Sequence, residues 1–323
     1  RQEGGGPATF AYQLAIDGEV VYAQAENELI LYTAWVRRRG RARNGPMPER
    51  PLIRPDYDLL VRSGFTLPWD RSLPPSNSAY DSYVRRVVEG DLRPKDDEAY
   101  PAWGINRQAT AVGGRQEIGY HTYANMLWIK YGDPKAQFLA HRQFEVGMSR
   151  PQNLWDLELG RWVNPVDWPR LTTQAPWANK TPLGVPRERA VAMPPGQEPW
   201  CDWKSGRHVD VDHAHNADYW SGPAVLGGRR MAFDGMAMNA CWTPIGQYRK
   251  TRKDADGKPI HHDYETPPDW KTGIFWAPEP GGPQIRSFAW SLRDVCRAAA
   301  LLPDNYPNRQ FYNLNALAYI NSF

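Results

Sequence analysis

The stretch YHTYANMLWIKYGDPKAQFLAHRQFEVGM, residues 120–148, decides the fold of this 323-residue chain. Its large apolar side chains recur at intervals of about three or four residues, as on one face of an α-helix. The first face consists of Tyr120, Tyr123, Ala124, Leu127, Trp128 and Tyr131, and the second of Ala136, Ala140, Phe144 and Met148. Between them, Asp133 and Pro134 are typical of an N-cap and a first helical turn. The short join predicts a hairpin of two antiparallel helices.

The same arrangement recurs twice further along the chain. A helix is predicted from about 212 to 226, ending at Gly227 and Gly228, and a second helix follows with its own apolar face. That face consists of Phe233, Met236, Ala237 and Ala240. The third pair begins with a stripe and ends in a run at 309–322; the stripe consists of Ile285, Phe288, Ala289, Leu292, Val295 and Ala299.

Three successive helical hairpins predict an (α/α) toroid-like domain. About six such pairs close the common form of the ring, so the chain is expected to supply about half of it. Other chains or further residues would then complete the toroid. Because the chain begins with Arg1 and not with Met, a processed product or a fragment is expected.

The N-terminal part shows a different pattern. Its apolar residues alternate on both sides of Asp17-Gly18, which has the chemistry of a tight turn, so a β-hairpin is predicted. Residues 1–68 are interpreted as the β-strand part of a sandwich-like domain, 69–112 as a Pro-rich linker or arm, and 113–323 as the helical-hairpin domain. The fold class is therefore mainly α with an N-terminal β part.

Two long connections separate the predicted hairpins, at about 150–210 and 244–283. Connections of this length in a compact domain are usually functional. The first contains six tryptophans, which would line a cleft if the connections emerge on one rim: Trp155, Trp162, Trp168, Trp177, Trp200 and Trp203. Indole rings offer flat surfaces that suit sugar rings, whereas the alternative is that they only attach irregular loops to the body.

The overall composition excludes several classes of protein. The net charge of +3 comes from 39 basic and 36 acidic residues, so the chain lacks the basic field of a nucleic-acid binder. No apolar run approaches the roughly 18 residues of a membrane span. The three cysteines lack C-x-x-C spacing, which excludes a disulfide scaffold and a zinc ribbon but leaves one disulfide open.

Three motifs resemble those of a family of large, mostly uncharacterised bacterial proteins. VGGRQEIG at 112–119, DHAHNADYWSGPAVLGG at 212–228 and QIRSFAWSLRDVCRAAALLPD at 284–304 are similar to TGGRxDIG, to D-x-AHQP with a later TGD, and to VRGQAWSLR with a later TPD. The resemblance covers roughly residues 20–323. It implies a β-sandwich followed by a helical toroid, as in several polysaccharide lyases and glycoside hydrolases.

The resemblance carries over no catalytic residue. The matching positions are Gly113, Gly114, Arg115, Glu117, Ile118, Gly119, Asp212, His215, Arg286, Ala289, Trp290, Leu292 and Arg293. Three pairs depart from the motifs: Asn216-Ala217 replaces Gln-Pro, Gly228-Arg229 replaces Gly-Asp, and Ser287-Phe288 replaces Gly-Gln. These departures imply a changed site or a lost activity.

The segment GRHVDVDHAHNADYW, residues 206–220, concentrates groups that can transfer protons. If Asp212 caps a helix, His215 and Tyr219 lie at i and i+4 on one face, with His208 and Asp210 in the loop before it. A histidine and a tyrosine at the mouth of a funnel suit proton abstraction from a sugar carbon and protonation of the leaving oxygen.

A second cluster, GYHTYAN at 119–125, places His121 and Asn125 at i and i+4. For β-elimination, Tyr219 or Tyr123 is the candidate base and His215 or His121 its partner, while Asn216 or Arg115 would neutralise the substrate carboxylate. Substrate contacts are expected from Arg115, Glu117, Asn125, Trp203, His208, Asp210, Asn216, Trp290 and Arg293. For each single histidine, packing with a hydrogen bond is the competing interpretation.

Hydrolysis and metal binding are the alternative chemistries. Hydrolysis needs two carboxyl groups about 5–10 Å apart, and Glu117, Asp210, Asp212 and Asp218 are the candidates. His213 and His215 with Asp210 would form a mixed site for a divalent metal only from an extended segment, so no cofactor is expected.

The sequence therefore predicts an exported carbohydrate-active protein, extracellular or periplasmic in a bacterium. Its partner would be a polysaccharide, cleaved by β-elimination in preference to hydrolysis. The alternative is a non-catalytic structural or glycan-binding component of a phage or cell-surface assembly, associated with a virion in the phage case.

Overall fold

The computed structural model describes residues 8–29, 51–72, 118–148, 152–164, 167, 216–245, 252–253, 259–260 and 285–321. This part of the chain is mainly helical, with a few short strands. The helices are α1 (Tyr57–Arg62), α2 (Tyr123–Tyr131), α3 (Pro134–Gly147), α4 (Ser221–Val225), α5 (Arg230–Ile245), α6 (Ile285–Leu301) and α7 (Arg309–Asn321). The strands are β1 (Ala8–Ile16), β2 (Glu19–Leu29), β3 (Trp155–Asp156), β4 (Arg161–Trp162), β5 (Arg252–Lys253) and β6 (Pro259–Ile260).

The N-terminal hairpin is confirmed. Strands β1 and β2 pair antiparallel and are joined by Asp17 and Gly18, with φ angles of 53° and 82°. These left-handed conformations match the right-handed twist of a two-residue hairpin. Residues 30–50 lie outside the described part, so the predicted sandwich stays a prediction.

The helical hairpin at 123–147 is also confirmed, and each of its ends has a local cause. The Thr122 hydroxyl caps α2 by accepting from the Asn125 amide at 3.2 Å, and the Asp133 carboxylate caps α3 by accepting from Ala136 at 2.7 Å. Gly132 adopts a φ of 65° between the helices, a conformation that favours glycine. The chain therefore turns back within three residues.

The helix predicted at 212–226 is shorter than expected. It spans only Ser221–Val225, and residues 216–219 are not helical. The Asp218 carboxylate accepts from the amides of Trp220 and Ser221, each at 3.0 Å, so its side chain takes over donors that a continuous helix would use itself. The proposed i, i+4 relation of His215 and Tyr219 on a helix is therefore wrong.

The later helices pack in chain order, α5 on α6 and α6 on α7, around one apolar cluster. The apolar face predicted for α5 packs in this cluster. For α6, the buried residues differ in part from the predicted apolar stripe. Ala289 is exposed, and α6 buries Ser291, Asp294 and Arg297 as well as Phe288 and Val295. Apolar periodicity cannot identify a buried face that carries charges.

Residues 51–72 are called the arm below. The arm contains α1 and packs on the helices, because Tyr57, Leu60 and Phe65 form an apolar cluster with Ile129 of α2. The division of the chain into domains at 68 and 112 stays a prediction.

Two of the cysteines are described, and both are free thiols. Burial raises the pKa of Cys241 to about 12, and burial also raises the pKa of Cys296, so neither forms a reactive thiolate near neutral pH. Cys201 lies outside the described residues. Within those residues, no helix combines the length and apolarity needed to cross a membrane.

Gly235 packs closely against the buried indole of Trp220. A Cβ atom added at Gly235 would lie 2.2 Å from the Trp220 ring. We expect Gly235→Ala to lower the free energy of unfolding by about 1–3 kcal/mol through overpacking, despite the better helix propensity of alanine.

Trp220→Ala supplies the matched test, since it destabilises by leaving a cavity but removes the ring atoms that the new methyl group would meet. The double variant should cost less than the sum of the two single variants, by about 0.5–3 kcal/mol in urea unfolding. Strict additivity would show that the two side chains do not interfere.

Candidate functional site: a buried ion-pair network

The three motif segments meet at one buried polar cluster. The cluster combines the backbone of Gly119, the segment Asn216–Ser221 and the α6 segment Arg293–Arg297. Arg293 and Arg297 lie on one face of α6 because they are four residues apart. Both guanidinium groups are almost completely buried, so each requires a partner inside the protein.

Arg297 pairs with Asp218. Its Nη1 donates to the Asp218 carboxylate and to the Ser221 hydroxyl, the latter at 3.3 Å. The second carboxylate oxygen accepts the two amides at the start of α4. Asp218 is thus held from both sides, and Arg297 packs over the Tyr120 ring with its guanidinium carbon 4.4 Å from the centroid.

Arg293 forms the second ion pair, with Asp294. Its Nε donates to Asp294 at 2.8 Å, while its two other nitrogens reach the carbonyls of Gly119 at 2.6 Å and Asn216 at 3.0 Å. The Asn216 amide donates to Asp294 at 2.7 Å and to Asn239 of α5 at 2.9 Å. One guanidinium therefore connects three separate segments of the chain.

His121 lies against Arg297 and is almost completely buried. Its Nε2 is 2.9 Å from the carbonyl oxygen of Phe65, and Arg297 Nη2 lies 3.3–3.4 Å from both ring nitrogens. A carbonyl only accepts, so the Nε2 of His121 carries the proton. Burial, and then the charge of Arg297, hold the pKa of His121 well below its usual range, which makes the ring neutral.

The two carboxyl groups respond differently to burial. Burial alone would raise the pKa of Asp218, but Arg297 and Arg293 outweigh it and hold that pKa well below its usual range. Burial raises the pKa of Asp294, and Arg293 offsets this only in part. Two guanidinium groups thus face two carboxyl groups, and the network offers no spare charge to a substrate.

The described candidates from the sequence are mostly inside the protein. Tyr219 has no exposed surface and packs edge-on against Trp220, with centroids 5.7 Å apart. Asn125 is fully buried and donates to the carbonyl of Asp218 at 3.3 Å. His121 precedes the Thr122 cap and is therefore not on the α2 helix with Asn125, contrary to the expected i, i+4 pair.

The remaining described candidates lie around the network. Asn216 and Arg293 belong to it, Trp290 is half-buried beneath the Arg293 guanidinium at 5.0 Å, and Tyr123 is half-buried in the first turn of α2. The other predicted site residues lie outside the described part: Arg115, Glu117, Trp203, His208, Asp210, Asp212 and His215. Their proximity to the network stays a prediction.

Sequence reasoning missed the roles of Arg297, Asp294 and Asn239. A signal was present in the RDVCRAAALLPD part of the third motif, where Arg293, Asp294 and Arg297 stand within an otherwise apolar helix. In the sequence, these charges resemble a solvent-exposed helix face, because no neighbouring residue indicates which distant segment covers them.

The tryptophan-rich connection is described only at its start. Trp155 and Trp162 face each other across the short β3–β4 ladder, with centroids 4.8 Å apart and planes at 88°. Trp155 is 45% exposed, and the β4 side of the hairpin is held by Arg161, which donates to Asp167 at 2.8 Å. The hairpin therefore presents an indole whose orientation is set by a second ring.

Within the described ranges, no group of three or more His, Cys, Asp or Glu side chains is arranged to hold a metal ion. The candidate metal ligands Asp210, His213 and His215 lie outside those ranges. Comparisons of the chain with protein-family models, with curated proteins and with solved structures found no match.

The network predicts that breaking one ion pair costs far more than breaking a surface pair. Arg297→Met leaves the Asp218 carboxylate buried without its cation, and we expect a loss of about 3–5 kcal/mol in the free energy of unfolding. Arg142→Met is the comparison, because the Arg142 side chain stays 28% exposed where it pairs with Glu145, and its loss should cost clearly less than that of Arg297.

Asp218→Asn in the Arg297→Met background tests whether the uncompensated charge of Asp218 causes this loss of stability. It removes the uncompensated charge and keeps an oxygen for the amides of Trp220 and Ser221, so part of the lost stability should return in urea unfolding. A double variant that is no more stable than Arg297→Met would contradict the electrostatic explanation.

Proposed function

We propose that this protein is carbohydrate-active and handles a polysaccharide. The observation that carries the proposal is the partly exposed Trp155 ring on a hairpin that opens the tryptophan-rich connection. A rigid indole face stacks on a sugar ring at little entropic cost, because its orientation is already set by Trp162. An exported location, extracellular or periplasmic, is part of this proposal.

The enzymatic form of the proposal is cleavage by β-elimination or by glycosidic hydrolysis. It rests on the segment 206–215, where His208, Asp210, Asp212 and His215 would supply the acid, base and carboxylate groups. The residue that follows this segment, Asn216, is anchored by Arg293, Asn239 and Asp294. The likeness to toroidal lyases and hydrolases is an analogy of fold and adds little by itself.

The second candidate function is glycan binding without cleavage, as in a structural component of a phage or cell-surface assembly. The burial of Tyr219 and His121 favours it, since neither ring has a surface that a polymer chain can reach. We therefore assign these two residues to packing and positioning in both forms of the proposal.

A panel of acidic and neutral polysaccharides separates the three outcomes. β-Elimination produces both unsaturated ends, seen by ultraviolet absorbance, and new reducing ends, whereas hydrolysis produces reducing ends only. Retention on an immobilised glycan without either product indicates a binder. Absence of cleavage and of retention across the panel would refute the proposal.

Variants assign the chemistry if cleavage is seen. His215→Ala should reduce the rate at least about 100-fold, as expected for loss of a general acid or base. Tyr219→Phe keeps the buried ring and should leave the rate within about threefold of the parent. A large loss of the cleavage rate in a folded Tyr219→Phe variant would show that the Tyr219 phenol takes part in catalysis.

The Trp155 platform has its own test. Trp155→Ala should weaken retention on the glycan roughly 5-fold, in line with about 1 kcal/mol for one aromatic contact. Leu157→Ala is the matched control, because Leu157 lies on the same hairpin and is 83% exposed but has no ring. Equal effects of the two substitutions would argue against stacking on Trp155.

A further inference from the structure

The arm at 51–72 is attached to the helical body at two separate places. Near its start, the amide of Ile53 donates to Gln137 and its carbonyl accepts from the indole of Trp128, each at 2.8 Å. The carbonyl of Pro51 accepts from the same Gln137 amide at 2.9 Å. None of these groups titrates between acid and neutral pH, so this anchor does not respond directly to pH.

The second attachment is close to the end of the arm and depends on a histidine. Tyr120 donates to the carbonyl of Gly64 at 3.0 Å, and His121 Nε2 donates to that of Phe65 at 2.9 Å. The imidazole also packs against the rings of Phe65 and Trp69, with centroids 5.0 and 5.9 Å away. The end of the arm therefore covers His121.

The charges around His121 disfavour a further positive charge on its ring. From α6 it faces Arg297, at 3.3–3.4 Å, and Arg293 at longer range. From the segment before α4 it faces Asp218, which already accepts from Arg297 and from two backbone amides. The arm side supplies a carbonyl and aromatic rings, and Tyr120 supplies an edge-on ring at 5.1 Å.

We propose that His121 is an acid-sensitive latch, whose protonation releases residues 64–69 from the helical body while residues 51–53 stay attached. Protonation places a third positive charge beside the guanidinium groups of Arg293 and Arg297. The nearby carboxylate of Asp218 already accepts from Arg297 and from two backbone amides. Release lets water reach the imidazolium and relieves that repulsion. It also removes Phe65 and Trp69 from the apolar cluster that contains Ile129, Leu226 and Leu301.

The sign of the pH effect follows from linkage. In the docked state the pKa of His121 is well below its usual range, whereas a solvated imidazole has a pKa of about 6.5. The released state therefore binds the proton more tightly, and docking loses stability as the pH falls below about 6.5. For one proton, the equilibrium constant for release rises up to about 10-fold per pH unit.

Hydrogen exchange on the full chain measures this release at individual amides. Phe65 and Thr66 report on the latch, because docking buries both residues and shields their amides, which donate to the Leu60 carbonyl within the arm. Ile53 reports on the other anchor. After correction for intrinsic exchange rates, the protection of Phe65 and Thr66 should fall about 10-fold per pH unit below about 6.5, while Ile53 stays protected. Equal loss at all three amides would indicate general acid unfolding and overturn the proposal, as would protection that does not change with pH.

Two variants isolate the titrating group. His121→Gln keeps a donor for the Phe65 carbonyl but has no pKa near neutrality, so the pH slope at Phe65 and Thr66 should vanish. Tyr120→Phe removes the neighbouring bond to Gly64, and it should lower protection by a similar factor at every pH with the slope intact. If His121→Gln fails to fold, the pH dependence of protection at Phe65 can still be compared with that at Ile53, in the parent and in Tyr120→Phe. That comparison also tests the latch. A flat profile for Tyr120→Phe would contradict the assignment to His121.

Discussion

The buried pairing of Arg297 with Asp218 is the constraint on which the rest of the structure depends. Removing a guanidinium and a carboxylate from water costs several kcal/mol for each ion, and their attraction offsets this only with good geometry and further hydrogen bonds. Both conditions are met, because Asp218 also accepts two amides and Arg297 also reaches Ser221 and the Tyr120 ring. The pair therefore holds α6, the start of α4 and the residues before α2 in one arrangement.

The second pair extends the same constraint. Arg293 connects Gly119, Asn216 and Asp294, so segments 174 residues apart in the chain share one donor group. An apolar contact would tolerate small shifts of these segments, whereas five fixed donors on a planar group select one geometry. Through His121 the network also reaches the arm, which links the charge state of one imidazole to the docking of a surface segment.

The described end of the histidine- and aspartate-rich stretch has a structural role. From Asn216 to Trp220 it is buried and serves to fix the chain. Among the described aromatic rings, that of Trp155 is exposed on a hairpin outside the motifs. Under the proposed function, the loops would supply the groups that contact a glycan. The buried motif residues would support those loops from inside the protein. This is a common division in proteins whose binding residues lie on loops held by a rigid body.

The sequence by itself determined the features that depend on local interactions. Asp17-Gly18 set the hairpin, and Asp133-Pro134 with Gly132 set the turn between two helices, because turn and cap preferences act within a few residues. Only the tertiary structure decided that α4 begins at Ser221, that the arm joins the helices, and that Arg293, Asp294 and Arg297 face inward. Each of these depends on a partner distant in sequence, and a buried charge looks like a solvated one until the segment that covers it is in place.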